Sequence, residues 1–247
     1  MSRFLNQLIK NHTIHSSWVD FFSKKNVKKE LDEIETKLIS NYTPCDSNIL
    51  RFATVDLNNV KVIIIGMDPY PQKGIATGRS FEVKENFCWC SSKLNLSLKN
   101  ILKLIHKSKL GLAKEKSIDE VRKDLKNGKL NISKKPNEIF DYWEQQGVLF
   151  LNTAFTCEIG DSSKSGSHLV IWEKFFEFLL EYICKNNTNI KFFLWGKVSK
   201  YKGTLIQNGV SECNLYISNH PTQRRKGKND FFSNKCFKDT LNIINWT

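Results

Sequence analysis

The 247-residue sequence lacks several features that would assign it to a particular class of protein. It contains no apolar run long enough to span a bilayer, and its first residues, Met1 to Asn6, lack the apolar stretch of a signal peptide. It also lacks a Gly-x-x-x-x-Gly-Lys-Ser/Thr loop, which argues against a nucleotide-binding or phosphoryl-transfer enzyme. Internal repeats and clear linkers are absent too. We therefore expect a single domain over residues 1–247 that is neither secreted nor embedded in a membrane.

The seven cysteines do not form the pattern of a disulfide framework or of a metal centre. Their number is odd, they are scattered, and only Cys88 and Cys90 lie close together. No neighbouring histidine or second cysteine pair completes a set of metal ligands. We therefore expect reduced thiols in an intracellular protein, with no metal and no other cofactor.

The charge of the chain is strongly of one sign. Lys and Arg number 38 against 25 Asp and Glu, which gives a formal net charge of +13. This excess favours a polyanionic partner, with nucleic acid preferred over an anionic membrane surface. With 40% hydrophobic residues, the chain is also able to bury one sizeable core.

Apolar runs alternate with helical patterns along the chain. Residues 1–43 are expected to be helical, and helical periodicity predicts further helices over 97–106 and 171–185. The lysine-rich span 107–136 is expected to be an insertion, either solvated or helical. Four apolar runs predict strands, at 62–66, 147–152, 190–196 and 214–218. This alternation predicts an α/β fold, a three-layer α/β/α sandwich around a four-stranded, mostly parallel, twisted sheet.

Polar side chains follow three of these predicted strands at the point where each strand ends. Asp68 comes just after the first run, Asn152 ends the second, and His220 follows the fourth. Open α/β sheets bind ligands at the carboxyl ends of their strands, so we expect these side chains to meet at one edge. Each has an ordinary explanation alone, as a turn aspartate, a capping asparagine or a surface histidine. Together they indicate a catalytic site.

Several segments, in order and spacing, resemble the uracil-DNA glycosylases of the main (family 1) type. They are Gly66-Met67-Asp68-Pro69-Tyr70, Gly78-Arg79-Ser80-Phe81, Gly147 to Thr153, Phe193 to Lys197, and His220-Pro221, followed by a basic tail that ends in Ile244-Asn245-Trp246. The resemblance covers residues 44–247. It implies a cofactor-free enzyme that hydrolyses the N-glycosidic bond of a uracil flipped out of single- or double-stranded DNA. The abasic site that results belongs to base excision repair.

The resemblance also implies partners and a place of action. It implies a monomer that works wherever DNA is handled in the host cell, which for a bacterium is the cytoplasm, and that has no membrane partner. A proteinaceous glycosylase inhibitor or a replication protein is an expected further partner.

By this resemblance, two side chains carry the chemistry. Asp68 stabilises the sugar as it becomes cationic and orients the attacking water. His220 donates a hydrogen bond to uracil O2, as a neutral imidazole. Backbone N–H groups near Met67 supply further donors to the base.

Other residues are implied in recognition of the base. Asn152 pairs with uracil N3–H and O4, a combination that cytosine cannot satisfy. Phe81 stacks on the base, and Tyr70 occupies the space that a thymine methyl group needs.

The resemblance further implies a surface that binds DNA around the flipped base. The backbone-gripping positions are Ser97, Gly196, Lys197, Pro221 and Thr222. Arg224, or Arg225 if the alignment shifts by one residue, takes the position of the family's leucine wedge. The basic run 224–228 is also consistent with an ordinary solvated loop, but its place directly after His220 favours DNA contact.

The chain departs from the family pattern at several positions. Met67 replaces the usual Gln, Pro71 replaces the usual His, and the usual proline-rich loop is here Lys93–Ser97, without prolines. Pro71 and Arg224 are similar to the poxviral branch of the family. We expect these differences to affect the details of DNA binding more than the chemistry.

Two alternatives stay open at this point. The chain is also consistent with a DNA-binding replication-accessory protein on the same fold with secondary activity, although the presence of Asp68, Asn152 and His220 argues against lost activity. The pair Ser167-His168 resembles a family motif near the site, and it is equally consistent with capping the start of a helix.

Overall fold

A computed structural model describes residues 2–38, 41–84, 88–132, 134–136, 138–223, 227 and 229–247. Its strands are β1 (Tyr42–Thr43), β2 (Val62–Gly66), β3 (Val148–Asn152), β4 (Cys157–Glu158), β5 (Lys191–Trp195) and β6 (Leu215–Ser218). Strands β1 and β4 form a small antiparallel pair, and the others form one sheet in the order β3-β2-β5-β6. Every pairing within that sheet is parallel, which confirms the predicted α/β class.

The helices are α1 (Arg3–Asn11), α2 (Val19–Ser23), α3 (Lys25–Lys37), α4 (Asp46–Ile49), α5 (Leu96–Lys109), α6 (Ile118–Lys126), α7 (Ile139–Gln145), α8 (Leu169–Asn186) and α9 (Lys202–Gln207). Two of them begin at residues that satisfy free backbone N–H groups. The Asn95 side chain caps α5, and Ser117 forms a capping box with Glu120 at α6. The helices predicted over 97–106 and 171–185 correspond to α5 and α8.

The sheet lies between two layers of apolar side chains, because alternate strand residues point to opposite faces. On one face, Ile63, Leu149 and Phe192 belong to a buried cluster that includes residues of α1, α2, α3 and α8. On the other face, Ile64 and Phe193 belong to a cluster with α5, α7 and the C-terminal residues up to Trp246. This arrangement is the predicted three-layer sandwich.

The register of the sheet brings the strand ends together at one edge. Gly66 pairs with Asn152, and Trp195 pairs with Ser218. Because all four strands run in the same direction, the loops that follow them emerge on the same side. This edge is where the sequence predicted a ligand site.

Residues 107–136, as far as the structure describes them, are partly helical and contribute to the core. Helix α6 packs against α5, and Val121 and Leu130 are buried in the second cluster. A hydrogen bond of 2.9 Å joins His106 Nε2 of α5 to Asp124 Oδ2 of α6. The helical alternative therefore describes this span better than the solvated one, and its status as an insertion stays a prediction.

Across the described residues, every helix is too short or too polar to cross a membrane.

Candidate active site

A pocket of about 290 Å³ opens at the carboxyl edge of the sheet. It brings together all six residues that the sequence predicted for catalysis and base recognition, with two of the predicted DNA contacts. These lining residues are Met67, Asp68, Tyr70, Phe81, Ser97, Asn152, Lys197 and His220. Gly196, Pro221 and Thr222 support the pocket without lining it, as described below. Arg224 and Arg225 lie outside the described residues.

The Asp68 carboxylate is held by a segment distant in sequence. Its Oδ2 accepts a hydrogen bond from the Gly166 backbone N–H (2.6 Å), and its Oδ1 accepts one from the Ser165 hydroxyl (3.0 Å). Both carboxylate oxygens are therefore oriented by donors from one short segment. The sequence reasoning missed Ser165 and Gly166, although it singled out the neighbouring Ser167-His168 pair.

The loops after β2 and β3 are joined through one backbone carbonyl. The Met67 C=O accepts the Thr153 hydroxyl (2.7 Å) and the Ala154 backbone N–H (3.0 Å). This fixes the chain on both sides of Asp68 relative to Asn152. The backbone of Met67 thus joins the two loops. This contact does not need the side chain of the glutamine that is usual at this position.

Asn152 lines the pocket and carries an unsatisfied polar atom. The residue is 3% exposed, and among the described residues its buried Oδ1 has no hydrogen-bond partner. A buried carbonyl without a donor is costly, so this atom is poised to accept from a ligand. Gly66 makes room for it, because a Cβ at Gly66 would lie 2.5 Å from Asn152 Oδ1.

The hydrogen bonds of His220 determine which nitrogen carries its proton. Nδ1 accepts the backbone N–H of Thr222 (3.2 Å) and also lies 2.8 Å from the Thr222 hydroxyl. A backbone N–H can only donate, so Nδ1 carries a lone pair and the neutral ring keeps its proton on Nε2. Burial lowers the pKa of His220 and thereby favours that neutral form. Nε2–H is then the donor that His220 offers to a ligand.

Phe81 is held in a backbone conformation that non-glycine residues rarely adopt. Its φ is +64°, and its ring lies 5.8 Å from the His220 ring and 5.4 Å from the Trp195 ring, between centroids. Such strain persists only where surrounding contacts enforce it. The neighbouring Ser80 hydroxyl donates to the Ile64 C=O of β2 (3.0 Å), which ties this turn to the sheet.

A buried arginine anchors the same turn to α7. The Arg79 guanidinium contacts Glu144 Oε1 (2.7 Å), Asp141 Oδ1 (2.6 Å) and Glu82 Oε1 (3.1 Å). Burial opposes its charge, but these carboxylates, Glu144 foremost, raise the pKa of Arg79 above its usual range. Arg79 was noticed only as part of a motif. Its anchoring role depends on α7, which local sequence does not reveal.

Tyr70 lines the pocket with a fixed hydroxyl group. Asn95 Nδ2 donates to that hydroxyl (3.2 Å), and burial raises the pKa of Tyr70 to about 12. The phenol therefore stays neutral at physiological pH.

His220 and the residues around it are positioned by close backbone approach. Gly196 has a φ of +82°, and a Cβ there would lie 2.8 Å from the His220 Cβ. The Pro221 C=O accepts a hydrogen bond from the buried Asn100 side chain of α5 (2.7 Å). Lys197 is exposed at the rim. These contacts explain why Gly196 and Pro221 belong to the site without lining it.

The Ser167-His168 pair does not cap α8. His168 stands at the N-cap position, but its Nδ1 lies 2.9 Å from the Thr156 hydroxyl, which in turn accepts the Trp172 indole N–H (2.7 Å). The Ser167 hydroxyl accepts the Glu158 backbone N–H (2.9 Å). The pair therefore fixes the loop that carries the donors to Asp68.

Among the residues that the structure describes, no three His, Cys, Asp or Glu side chains lie together in a cluster that could hold a metal ion.

We expect Gly196→Ala to reduce the free energy of unfolding by about 1–3 kcal/mol, because a Cβ there combines a left-handed backbone with a clash. Gly203→Ala is the matched control. Gly203 lies in α9, and apart from its chain neighbours and the backbone of its own helix no described atom comes within 4 Å of the position that an alanine methyl group would take there, so this substitution should be neutral or stabilising. Urea titrations measure both changes. Equal effects of the two substitutions would contradict the proposed crowding at His220.

Comparison with known proteins identifies the family. The sequence profile described as "Uracil DNA glycosylase superfamily" matches residues 52–244. The uracil-DNA glycosylase of Borrelia duttonii (strain Ly) is 30% identical over 94% of this chain and 90% of its own length. That of Azobacteroides pseudotrichonymphae genomovar. CFP2 is 31% identical over 96% of each chain.

Solved structures share the fold. The wild-type UNG crystal structure from Nitratifractor salsuginis has a TM-score of 0.67 at 20% identity, covering 96% of this chain and 94% of that chain. A mimivirus UNG variant in complex with UGI has a TM-score of 0.60 at 25% identity, covering 84% of this chain and 70% of that chain. The sequence match over most of the chain, on the fold that these structures share, shows that this protein belongs to the uracil-DNA glycosylase family.

Proposed function

We propose that this member of the family hydrolyses the N-glycosidic bond of a uracil flipped out of DNA and leaves an abasic site for base excision repair. The observation that carries the proposal is one pocket with three complementary groups. Asp68 supplies an anion, His220 supplies a neutral donor, and Asn152 supplies an unsatisfied acceptor.

The proposed chemistry requires opposite electrostatics at the two ends of the breaking bond. The sugar becomes cationic and the base becomes anionic, so groups that act mainly in the transition state lower the barrier. Asp68 is proposed to stabilise the cationic sugar and to orient the attacking water. The donors from Ser165 and Gly166 fix the carboxylate for this role.

His220 is proposed to stabilise the departing base. With Nδ1 occupied by the Thr222 N–H, the neutral imidazole is able to donate from Nε2 to uracil O2 as negative charge accumulates there. The backbone N–H groups near Met67 are proposed as further donors.

Base selection is proposed to rest on a hydrogen-bond pattern and on shape. The unpaired Asn152 Oδ1 would accept uracil N3–H, and its amide N–H would donate to O4, a pairing that cytosine cannot make. Phe81 would stack on the ring. Tyr70 would fill the space next to the C5 position and so exclude thymine.

DNA binding is proposed to use the rim of the pocket and the positive charge of the chain. Flipping a base out of the duplex costs a few kcal/mol, which contacts to the flanking backbone must offset. The proposed contacts are Ser97, Gly196, Lys197, Pro221 and Thr222, with Arg224 or Arg225 as the wedge that fills the vacated stack.

The proposed partners follow from this role. We propose that the protein acts as a monomer inside the cell on single- and double-stranded DNA, without a membrane partner. The mimivirus UNG structure holds UGI, which supports a proteinaceous inhibitor as a candidate partner here. A replication-accessory role with secondary activity is not favoured, because the named relatives are uracil-DNA glycosylases and the residues proposed for catalysis meet in one pocket.

The direct test is release of uracil from a labelled oligonucleotide in the presence of a chelator. We expect the wild-type protein to release uracil and Asp68→Asn to lose at least roughly a hundredfold in single-turnover rate, since an amide cannot offset the sugar cation. DNA binding, measured by fluorescence anisotropy, should change little. Asp32→Asn, at an exposed carboxylate on α3, is the control and should match wild type. A wild-type rate for Asp68→Asn would refute the assigned role.

Asn152→Asp tests the reading of the base. A carboxylate cannot donate to O4 but can accept from the cytosine amino group, so uracil excision should fall roughly a hundredfold and slow cytosine excision should appear. Asn189→Asp changes an exposed asparagine in the same way and should leave both rates unchanged. Paired uracil- and cytosine-containing oligonucleotides measure the ratio. Unaltered selectivity in Asn152→Asp would remove this residue from base recognition.

The pH dependence should reflect the lowered pKa of His220. Because burial disfavours the imidazolium, the neutral donor should persist below the ordinary histidine range of about 6.5. The single-turnover rate should therefore stay level through that range and decline only at lower pH. NMR of the ring nitrogens, with His220→Gln for assignment, should show the proton on Nε2. An inflection assigned to His220 at or above about pH 6.5 would contradict the neutral-donor role.

A further inference from the structure

The loop of residues 88–95 delivers the first turn of α5 to the pocket. Ser97 in that turn lines the pocket. Asn95 links the loop to two other parts of the rim, since its Nδ2 donates to the Tyr70 hydroxyl (3.2 Å) and its Oδ1 accepts the Leu98 backbone N–H (2.8 Å). The 88–95 loop therefore precedes a proposed DNA contact, Ser97, and binds the hydroxyl of Tyr70, the residue proposed to exclude thymine.

The loop's own backbone hydrogen bonds are short turns, in which the Ser91 N–H donates to the Cys88 C=O (2.9 Å) and the Leu94 N–H donates to the Ser91 C=O (3.4 Å). The loop contains no helix or strand, and no proline occurs from Val83 to Ser97. Proline would restrict the backbone and reduce the number of competing conformations. The loop buries the side chains of Trp89 and Leu94, but most of its other residues are exposed or half-buried.

An arginine on α6 binds two of the loop's carbonyl groups. Arg122 Nη2 donates to the Ser91 C=O (2.7 Å), and Nε donates more weakly to the Trp89 C=O (3.5 Å). Asp119 Oδ1 accepts from the remaining arm of the guanidinium (3.2 Å). A planar guanidinium is suited to this task, because its donors diverge at fixed angles and fix several acceptors at once.

Two further bonds fix the same loop. The Trp89 indole N–H donates to the Lys134 C=O (2.8 Å), and Lys99 Nζ of α5 donates to the Ser92 C=O (2.9 Å). Arg122 and Lys134 both belong to the 107–136 segment. The segment and α5 therefore both bind backbone carbonyls or side chains of the 88–95 loop.

We propose that the 107–136 segment holds the DNA-binding rim in place and that Arg122 is the positioning residue through which it acts. This rests on the proposed function, because the benefit of a fixed rim is tighter engagement of the DNA backbone. A rim that is already in position spares the protein the cost of ordering it when DNA binds. Arg122 itself contacts neither the pocket nor its ligands.

Arg122→Met removes the donors while keeping a long apolar stem. We expect KM for a uracil-containing oligonucleotide to rise roughly five- to tenfold, with kcat within about twofold of wild type. Inhibition by free uracil should be unchanged, because Asp68 and His220 are bonded to residues outside this loop. Arg122→Lys keeps the charge but loses the fork, so it should give an intermediate KM.

Lys123→Met is the matched control. Lys123 is the next residue on α6 and is exposed, and its substitution removes the same unit of charge without removing a bond to the loop. It should keep the wild-type KM at the same salt concentration. An equal rise in KM for Lys123→Met would show that Arg122 contributes only net charge, and the proposal would be wrong.

Hydrogen exchange of the free protein tests the positioning directly and does not depend on activity. In Arg122→Met, amides of residues 88–96 should exchange faster than in wild type, whereas those of β2 and β5 should not. Unchanged exchange at 88–96 would overturn the proposal. A fall in kcat together with weaker uracil inhibition would also overturn it, because that combination indicates general damage to the pocket. If the wild-type protein released no uracil, the proposed function would fail, and the exchange data would still decide whether Arg122 fixes the loop.

Discussion

The parallel register that places Gly66 beside Asn152 is the constraint on which the site depends. Gly66 has no side chain, so the Asn152 amide occupies space that any Cβ would claim. The Met67 C=O then joins the loops that follow the two strands. Asp68 and Asn152 thereby face one pocket from adjacent strands. The register of the two strands thus fixes where the Asp68 carboxylate, proposed for catalysis, lies relative to the Asn152 amide, proposed to read the base.

The pocket combines one oriented anion with neutral hydrogen-bonding groups. Asp68 is bonded at both oxygens by donors from Ser165 and Gly166. His220 is kept neutral by burial, and the Thr222 N–H leaves its proton on Nε2. Tyr70 is neutral, as an ordinary phenol is, and burial raises its pKa further. This separation suits the proposed reaction, in which the sugar becomes positive and the base negative, because each charge would develop opposite a group that is already in place.

Helix α5 connects parts of the site that come from distant positions in the chain. Its cap, Asn95, binds the Tyr70 hydroxyl, its first turn brings Ser97 to the pocket, and Asn100 binds the Pro221 C=O next to His220. The 107–136 segment packs on this helix and contacts the loop that precedes it. The residues proposed for base recognition, for DNA contact and for catalysis by His220 thus all contact one helix. A change in its packing would act on all three.

The sequence by itself determined the elements whose signals are local. Apolar runs marked the four strands of the sheet, alternation with helices gave the parallel architecture, and motifs at the strand ends identified Asp68, Asn152 and His220. Only the tertiary structure decided which residues support them. Ser165 lies 97 positions from Asp68, and Arg122 lies 31 positions from Ser91. A local sequence pattern therefore predicts neither contact. Their partners are selected by packing between distant segments, whereas strand and motif signals arise from neighbouring residues and need no partner to be recognised.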